Sequence, residues 1–135
     1  MRIIGGKYKS YIIPTSKKIK ARPTTDMAKE ALFNILENKI DFNQIYVLDL
    51  FCGTGNISYE FASRGVKKIT AVDHQINALQ FIQKQSSHWG MNINTKKKNA
   101  LSFLEITDDK YDVIFADPPY LSLIHISEPT RRSYI

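Results

Sequence analysis

Short apolar runs alternate with amphipathic stretches along most of this chain. Residues 2–13, RIIGGKYKSYII, hold two β-branched runs around Gly5-Gly6, the pattern of a β-hairpin, and Pro14 closes it. A polar, lysine-rich stretch follows as far as Lys20. Beyond Arg22-Pro23, Thr24 or Thr25 is placed to cap a helix with Asp26 in its first turn. Ala28, Ala31, Leu32, Ile35 and Leu36 recur at helical spacing and carry that helix to about Lys39. The period then changes. IYVLDLF (45–51), KKITAVD (67–73), INTKKK (93–98) and YDVIFAD (111–117) read as strands, with NISYEFASRG (56–65) and INALQFIQKQSSHWG (76–90) as helices between them. Gly65 and Gly90 stand where helix C-caps belong. YVLDLF and DVIFAD are apolar on both faces, as strands between two helix layers must be. The pattern predicts an α/β fold: a mainly parallel, doubly wound sheet of about four strands, preceded by an N-terminal β-hairpin and helix.

Composition narrows the class. A chain of 135 residues supports one domain with a modest core, and 43% apolar with 24% charged residues is ordinary globular usage. No run approaches the roughly 18 apolar residues of a membrane span. The N-terminus has no signal-peptide pattern and the one cysteine, Cys52, has no internal partner, so a cytoplasmic protein is expected. Cys52 reads as a packing residue, since no activating base is near it in sequence. The three histidines lack metal-ligand spacing, and no metal is expected. The net charge of +6 is uneven: residues 1–29 carry eight Lys/Arg against one acid, and the remainder eleven against twelve. Arg2, Lys7, Lys9 and Arg22 belong to this basic arm. A basic arm on a neutral body suits a polyanion, because lysines and arginines that neutralise phosphates release counterions; a solvated surface is the plainer reading.

Two motifs carry chemistry. LDLFCGTGN (48–56) follows a strand and opens a helix, and its glycines permit a tight turn and close approach of a ligand. Asp73 ends the next strand, eighteen residues after Gly55, where a nucleotide-type site places a carboxylate for ribose hydroxyls. A dinucleotide fingerprint wants a third glycine, and this chain has Ser58, which argues against an NAD(P)-linked oxidoreductase. Asp49, just ahead of the glycines, suits a cationic amino or sulfonium group better than a pyrophosphate, favouring S-adenosylmethionine. Asn99, past the third strand, is placed either to read an adenine edge or to cap a helix. The second motif is Asp117-Pro118-Pro119-Tyr120, at the end of the last strand. A carboxylate and a proline-fixed carbonyl that accept both N–H bonds of an exocyclic base amine would aim its nitrogen at a methyl donor, with Tyr120 stacking on the base.

RIIGG (2–6), RPTTD (22–26), ALFNIL (31–36), LDLFCGTGN and DPPY, in this order, resemble the RsmD family of bacterial 16S rRNA guanine-N2 methyltransferases. The resemblance covers residues 2–120. It implies a class I Rossmann-like methyltransferase core that uses S-adenosylmethionine, an N-terminal hairpin that helps bind rRNA of the small ribosomal subunit, no metal, and a monomer. It also implies site residues: Asp49, Phe51, Gly53, Gly55, Asp73, Asn99 and Ala100 around the cofactor, and Asp117, Pro118, Pro119 and Tyr120 on the guanine amine. Arg2, Lys7, Lys9, Arg22 and Thr24 would contact RNA.

The domain reading is a basic arm over 1–24, a methyltransferase core over 25–120 that is incomplete by about three strands, and a non-native tail over 121–135. LSLIHISEPTR in that tail resembles the translation of a transposon-type sequencing adapter, and Ser127-Glu128-Pro129 reads as a break. A fourth strand without its neighbour is an aggregation-prone edge, so the chain as it stands is open to being unstable or inactive. The alternatives are a non-catalytic RNA- or cofactor-binding fragment and an adenine-N6 amino-methyltransferase.

Overall fold

The computed structural model describes residues 1–20 and 24–118. Four strands, β1 (Tyr46–Leu50), β2 (Lys68–Asp73), β3 (Ile93–Lys97) and β4 (Val113–Ala116), form one sheet in the order β3-β2-β1-β4. All three pairings are parallel, with Asp49 opposite Ala71 on one side and Phe115 on the other. The helices are α1 (Asp26–Glu37), α2 (Asn56–Ser63), α3 (Ile76–Trp89) and α4 (Ala100–Ile106). Strand alternation divides the core in two. Val47, Ile69, Ala71, Ile93, Val113 and Phe115 pack against Phe33 and Leu36 of α1, Ile57 and Phe61 of α2, and Leu79 and Ile82 of α3. Leu48, Leu50, Val72 and Ile114 point the other way, onto Ala100 and Phe103 of α4.

The chain winds outward from β1 to β2 to β3, then returns through α4 to place β4 on the opposite side of β1. That reversal leaves a crevice at the carboxyl ends of β1 and β4, where open α/β sheets bind ligands. Helix α4, about two turns of ALSFLEI, is too short for periodicity to reveal and is signalled only by the reading of Asn99 as a helix cap. Asn99 starts it, its Oδ1 accepting the Leu101 amide at 2.9 Å. Among the described residues no helix is long and apolar enough to cross a membrane.

Two expectations are modified. The N-terminal hairpin is present as a fold-back held by Ile3 N to Tyr11 O (2.9 Å) and Ile13 N to Met1 O (3.0 Å), but only Arg2 and Ile12 form a bridge. Its backbone bonds outward instead, to α2. Helix α1 is capped by Thr25, whose Oγ1 accepts the Ala28 amide. Its buried face is Lys29, Phe33 and Leu36, whereas Ala28, Ala31 and Ile35 of the expected apolar stripe are exposed.

The reason is a buried ion pair. Lys29 and Glu60 have no solvent exposure, and Lys29 Nζ lies 3.2 Å from Glu60 Oε1. The ammonium also donates to Arg2 O (2.6 Å) and Asn56 Oδ1 (2.7 Å). Glu60 in turn accepts the Ile4 and Gly5 amides and Arg64 Nε. One network thus joins the arm, α1 and the helix that follows the glycine loop. Gly6, at φ +79°, completes the seam: a Cβ there would lie 2.0 Å from Ser63 O, so only glycine lets the arm lie this close.

Candidate functional site

The segment after β1 turns sharply. Phe51 has φ +56°, an outlier for a bulky side chain, and Gly53 and Gly55 also have positive φ. Gly55 is the N-cap of α2, and a Cβ there would lie 2.8 Å from Ile82 Cγ1 and 2.9 Å from Tyr59 Cζ. The turn is tied down from both sides: Cys52 N donates to Val72 O at 3.1 Å, and Gly53 N donates to Asp73 Oδ2 at 2.9 Å. The other oxygen of Asp73 accepts the Gln75 amide, which fixes the carboxylate at the end of β2.

These elements bound a cavity of about 630 Å³ at the carboxyl ends of β1, β2 and β4. Asp49, Phe51, Gly53, Asp73, Asp117 and Thr24 line it, six of the residues expected at the site. Cys52, Thr54, Asn56, Ile57, His74, Gln75, Phe115 and Lys20 complete the wall; of these, Cys52, Thr54 and Asn56 stand inside the motif LDLFCGTGN. Lys20 carried no signal beyond its charge. It arrives because the Gln75 side chain both accepts its amide and donates to its carbonyl.

Charge defines the chemistry of this cavity. Asp49 is 1% exposed, and burial pushes its carboxyl up to about 7, opposed by the Ser58 hydroxyl, which donates to Oδ2 at 2.7 Å. Asp73 and Asp117 add to the rise by like-charge repulsion. The residue that breaks the dinucleotide fingerprint therefore has a use here: Ser58 supplies a hydroxyl to the buried acid where a third glycine would supply none. Burial also pushes the Cys52 thiol well up, helped by Asp49 and Asp73, which removes thiolate character and agrees with a packing role. Three carboxylates around one cavity favour a ligand that brings positive charge. A glycine-lined turn and the Asp73 carboxylate favour one that also carries a nucleoside.

The remaining expected residues are placed as follows. Gly55 shapes the turn from beneath. Asn99 serves as the α4 cap and Ala100 is buried beneath Leu48 and Leu50; neither lines the cavity. Pro118 follows Asp117 and does not line the cavity, while Pro119, Tyr120 and Arg22 lie outside the described residues. Arg2 pairs with Asp26 at 3.5 Å, near the start of α1. Lys7 and Lys9 are exposed and stand at the far end of α2, where Lys7 N donates to Ser63 O. Among the described residues no three His, Cys, Asp or Glu side chains form a metal-binding group.

Known proteins share this arrangement. The family model described as conserved hypothetical protein 95 matches residues 1–130. Ribosomal RNA small subunit methyltransferase D of Escherichia coli K12 is 32% identical over 121 residues, covering 89% of this chain and 60% of that protein. Its counterpart of the same name in Buchnera aphidicola subsp. Baizongia pistaciae is 33% identical, covering 89% and 61%. The chain thus spans about three fifths of the length of these curated relatives. The solved structure of Escherichia coli yhhF superposes with a TM-score of 0.78 at 31% identity, covering 88% of this chain and 65% of that one. With the family model matching nearly its whole length and the sheet, glycine turn and strand-end aspartate all in place, the chain belongs to the RsmD family.

Proposed function

We propose that the cavity binds S-adenosylmethionine and that the protein methylates the exocyclic N2 amine of a guanine in 16S rRNA of the small ribosomal subunit, acting as a monomer. The observation that carries this reading is the meeting of Asp49, Asp73 and Asp117 in one cavity beside a glycine turn. The names of the relatives supply the rRNA substrate. Guanine N2 is drawn from the resemblance of RIIGG, RPTTD, ALFNIL, LDLFCGTGN and DPPY together to the RsmD family; DPPY alone also suits an adenine N6 amine.

The bound donor supplies a methyl group on a positively charged sulfur. Asp73 is positioned to accept ribose hydroxyls with the lone pairs left by Gly53 N and Gln75 N. Asp49 offsets positive charge from the floor, which stabilises a cation far more in a water-poor cavity than in solvent. Asp117, at the end of β4, accepts an amine N–H, and the carbonyl of Pro118 accepts the other; Tyr120 stacks on the base. Together they hold the nitrogen lone pair toward the donor, and the pre-set orientation supplies most of the rate. The amine proton is then within reach of the Asp117 carboxylate.

The test uses the chain extended to the full length of its curated relatives. Tritiated S-adenosylmethionine and small-subunit rRNA should give N2-methylguanosine on nucleoside mass spectrometry. Asp117→Ala should lose methyl transfer by at least about a hundredfold while cofactor affinity holds. N6-methyladenosine as the product would replace the guanine assignment, and equal loss of transfer and affinity would remove Asp117 from the amine.

A further inference from the structure

A parallel sheet has two ends, and the cavity described above occupies only one. At the other, the first residues of β1, β2 and β3 bound a second groove of about 500 Å³ whose lining includes Tyr46, Lys67, Lys68, Asn92, Asn94 and Thr95. Both lysines and both asparagines are exposed, and no carboxylate is among the lining residues. Lys68 Nζ is held 4.3 Å above the centre of the Tyr46 ring, which positions its charge over the groove. Strand β2 is six residues long, so this groove lies about 16 Å from the cavity along the strand direction.

The basic arm reaches the same end. Its turn is fastened to the last residues of α2 and α3: Tyr8 N donates to Ser63 Oγ (2.9 Å) and Tyr8 OH donates to Trp89 O (2.7 Å). From those helix ends the chain runs directly into Lys67 and Asn92. Lys7 and Lys9 therefore stand at the same end of the sheet as the groove, fastened to the ends of α2 and α3.

We propose that this end of the sheet is a second RNA-contact surface. Lys67 and Lys68, with the amides of Asn92 and Asn94, hold the phosphodiester backbone of a segment remote from the nucleotide in the cavity, and Lys7 and Lys9 extend the track. The chemistry matches a backbone: lysines neutralise phosphates, and carboxamide N–H groups donate to phosphate oxygens or ribose hydroxyls without reading sequence. An open groove of polar donors suits a polymer passing over it, where a small ligand would need enclosing apolar walls. The inference rests on RNA being the substrate.

Fluorescence anisotropy with a labelled 16S rRNA transcript tests it, on wild type and on Lys67→Glu/Lys68→Glu. The reversal should weaken binding at least about tenfold near 0.1 M salt and flatten the plot of log affinity against log salt by about 2, with about 0.9 from each lost phosphate contact. S-adenosylmethionine affinity should stay unchanged, because the groove is at the opposite end of the strands. Wild-type RNA affinity and salt slope retained in the variant would overturn the inference and leave the substrate reading standing. Failure of wild type to bind RNA would remove the substrate reading and the inference together. Displacement of the RNA by millimolar inorganic phosphate would mark a small-anion site and also overturn it.

Discussion

Glu60→Leu removes the acceptor for four donors at once: the Ile4 and Gly5 amides, Arg64 Nε and Lys29 Nζ. Lys29→Met removes one donor from Glu60 and leaves the other three in place. Breaking a buried pair from one side costs about 3–5 kcal/mol, and orphaned buried amides add about 1–3 kcal/mol each unless they reach water. Glu60→Leu should therefore cost about 5 kcal/mol, a large share of a typical 5–15 kcal/mol stability, and Lys29→Met about 2–3 kcal/mol. The double variant separates the ion pair from the arm. If the pair alone mattered, two apolar replacements would restore stability; because the Ile4 and Gly5 amides stay unpaired, the double should remain at least about 2 kcal/mol below wild type. Burial lowers the Lys29 pKa and Glu60 pulls it back up, so losing Glu60 lowers it further. Between that lowered native value and the unfolded 10.5 the native lysine binds fewer protons than the unfolded one, and stability rises with pH across that window. Urea unfolding at pH 7 and pH 9 should show Glu60→Leu partly recovering at the higher pH. Equal costs for the two single variants, or a double variant at wild-type stability, would refute this assignment.

Two further substitutions test local claims. Gly6→Ala places a methyl 2.0 Å from the Ser63 carbonyl at φ +79°, and thermal unfolding should show a loss of about 3 kcal/mol or more, whereas Gly5→Ala has no positive φ to relieve and meets the Arg64 side chain rather than backbone, and should cost less. Ser58→Ala removes the hydroxyl that holds the Asp49 pKa down, so carbon-13 NMR should show Asp49 titrating above its wild-type value of about 7.

The parts legible in the sequence are those with a local cause. YVLDLF and DVIFAD had to be strands covered on both faces because no polar alternation interrupts them, and the glycine turn followed from its position between strand and helix. Asp73 and Asp117 were found because a strand end fixes where a side chain comes to rest. What depended on distant partners was not legible. Lys and Glu are seldom fully buried, and only the meeting of Lys29 and Glu60 across α1 and α2 makes their burial tolerable. The same pairing turned α1 so that Ala28 and Ile35 face water. The arm's charge was evident from composition, but its course along α2 was not, and so Lys7 and Lys9 stand at the end of the sheet opposite the cavity. Asn99 carried two local readings, and its hydrogen bonds to Leu101 and Ser102 place it as a helix cap.

The account rests on the carboxylate-lined cavity receiving a cation. Asp49, surrounded by Asp73, Asp117, Cys52 and the Ser58 hydroxyl, titrates near 7, and a positively charged ligand should bind its ionised form. Calorimetry of S-adenosylmethionine against the chain extended to the full length of its curated relatives, at pH 6 and pH 8, should then show about tenfold tighter binding at pH 8, with proton release near neutrality and a flat profile in Asp49→Asn. Equal wild-type affinity at the two pH values, or no binding at either, would contradict it.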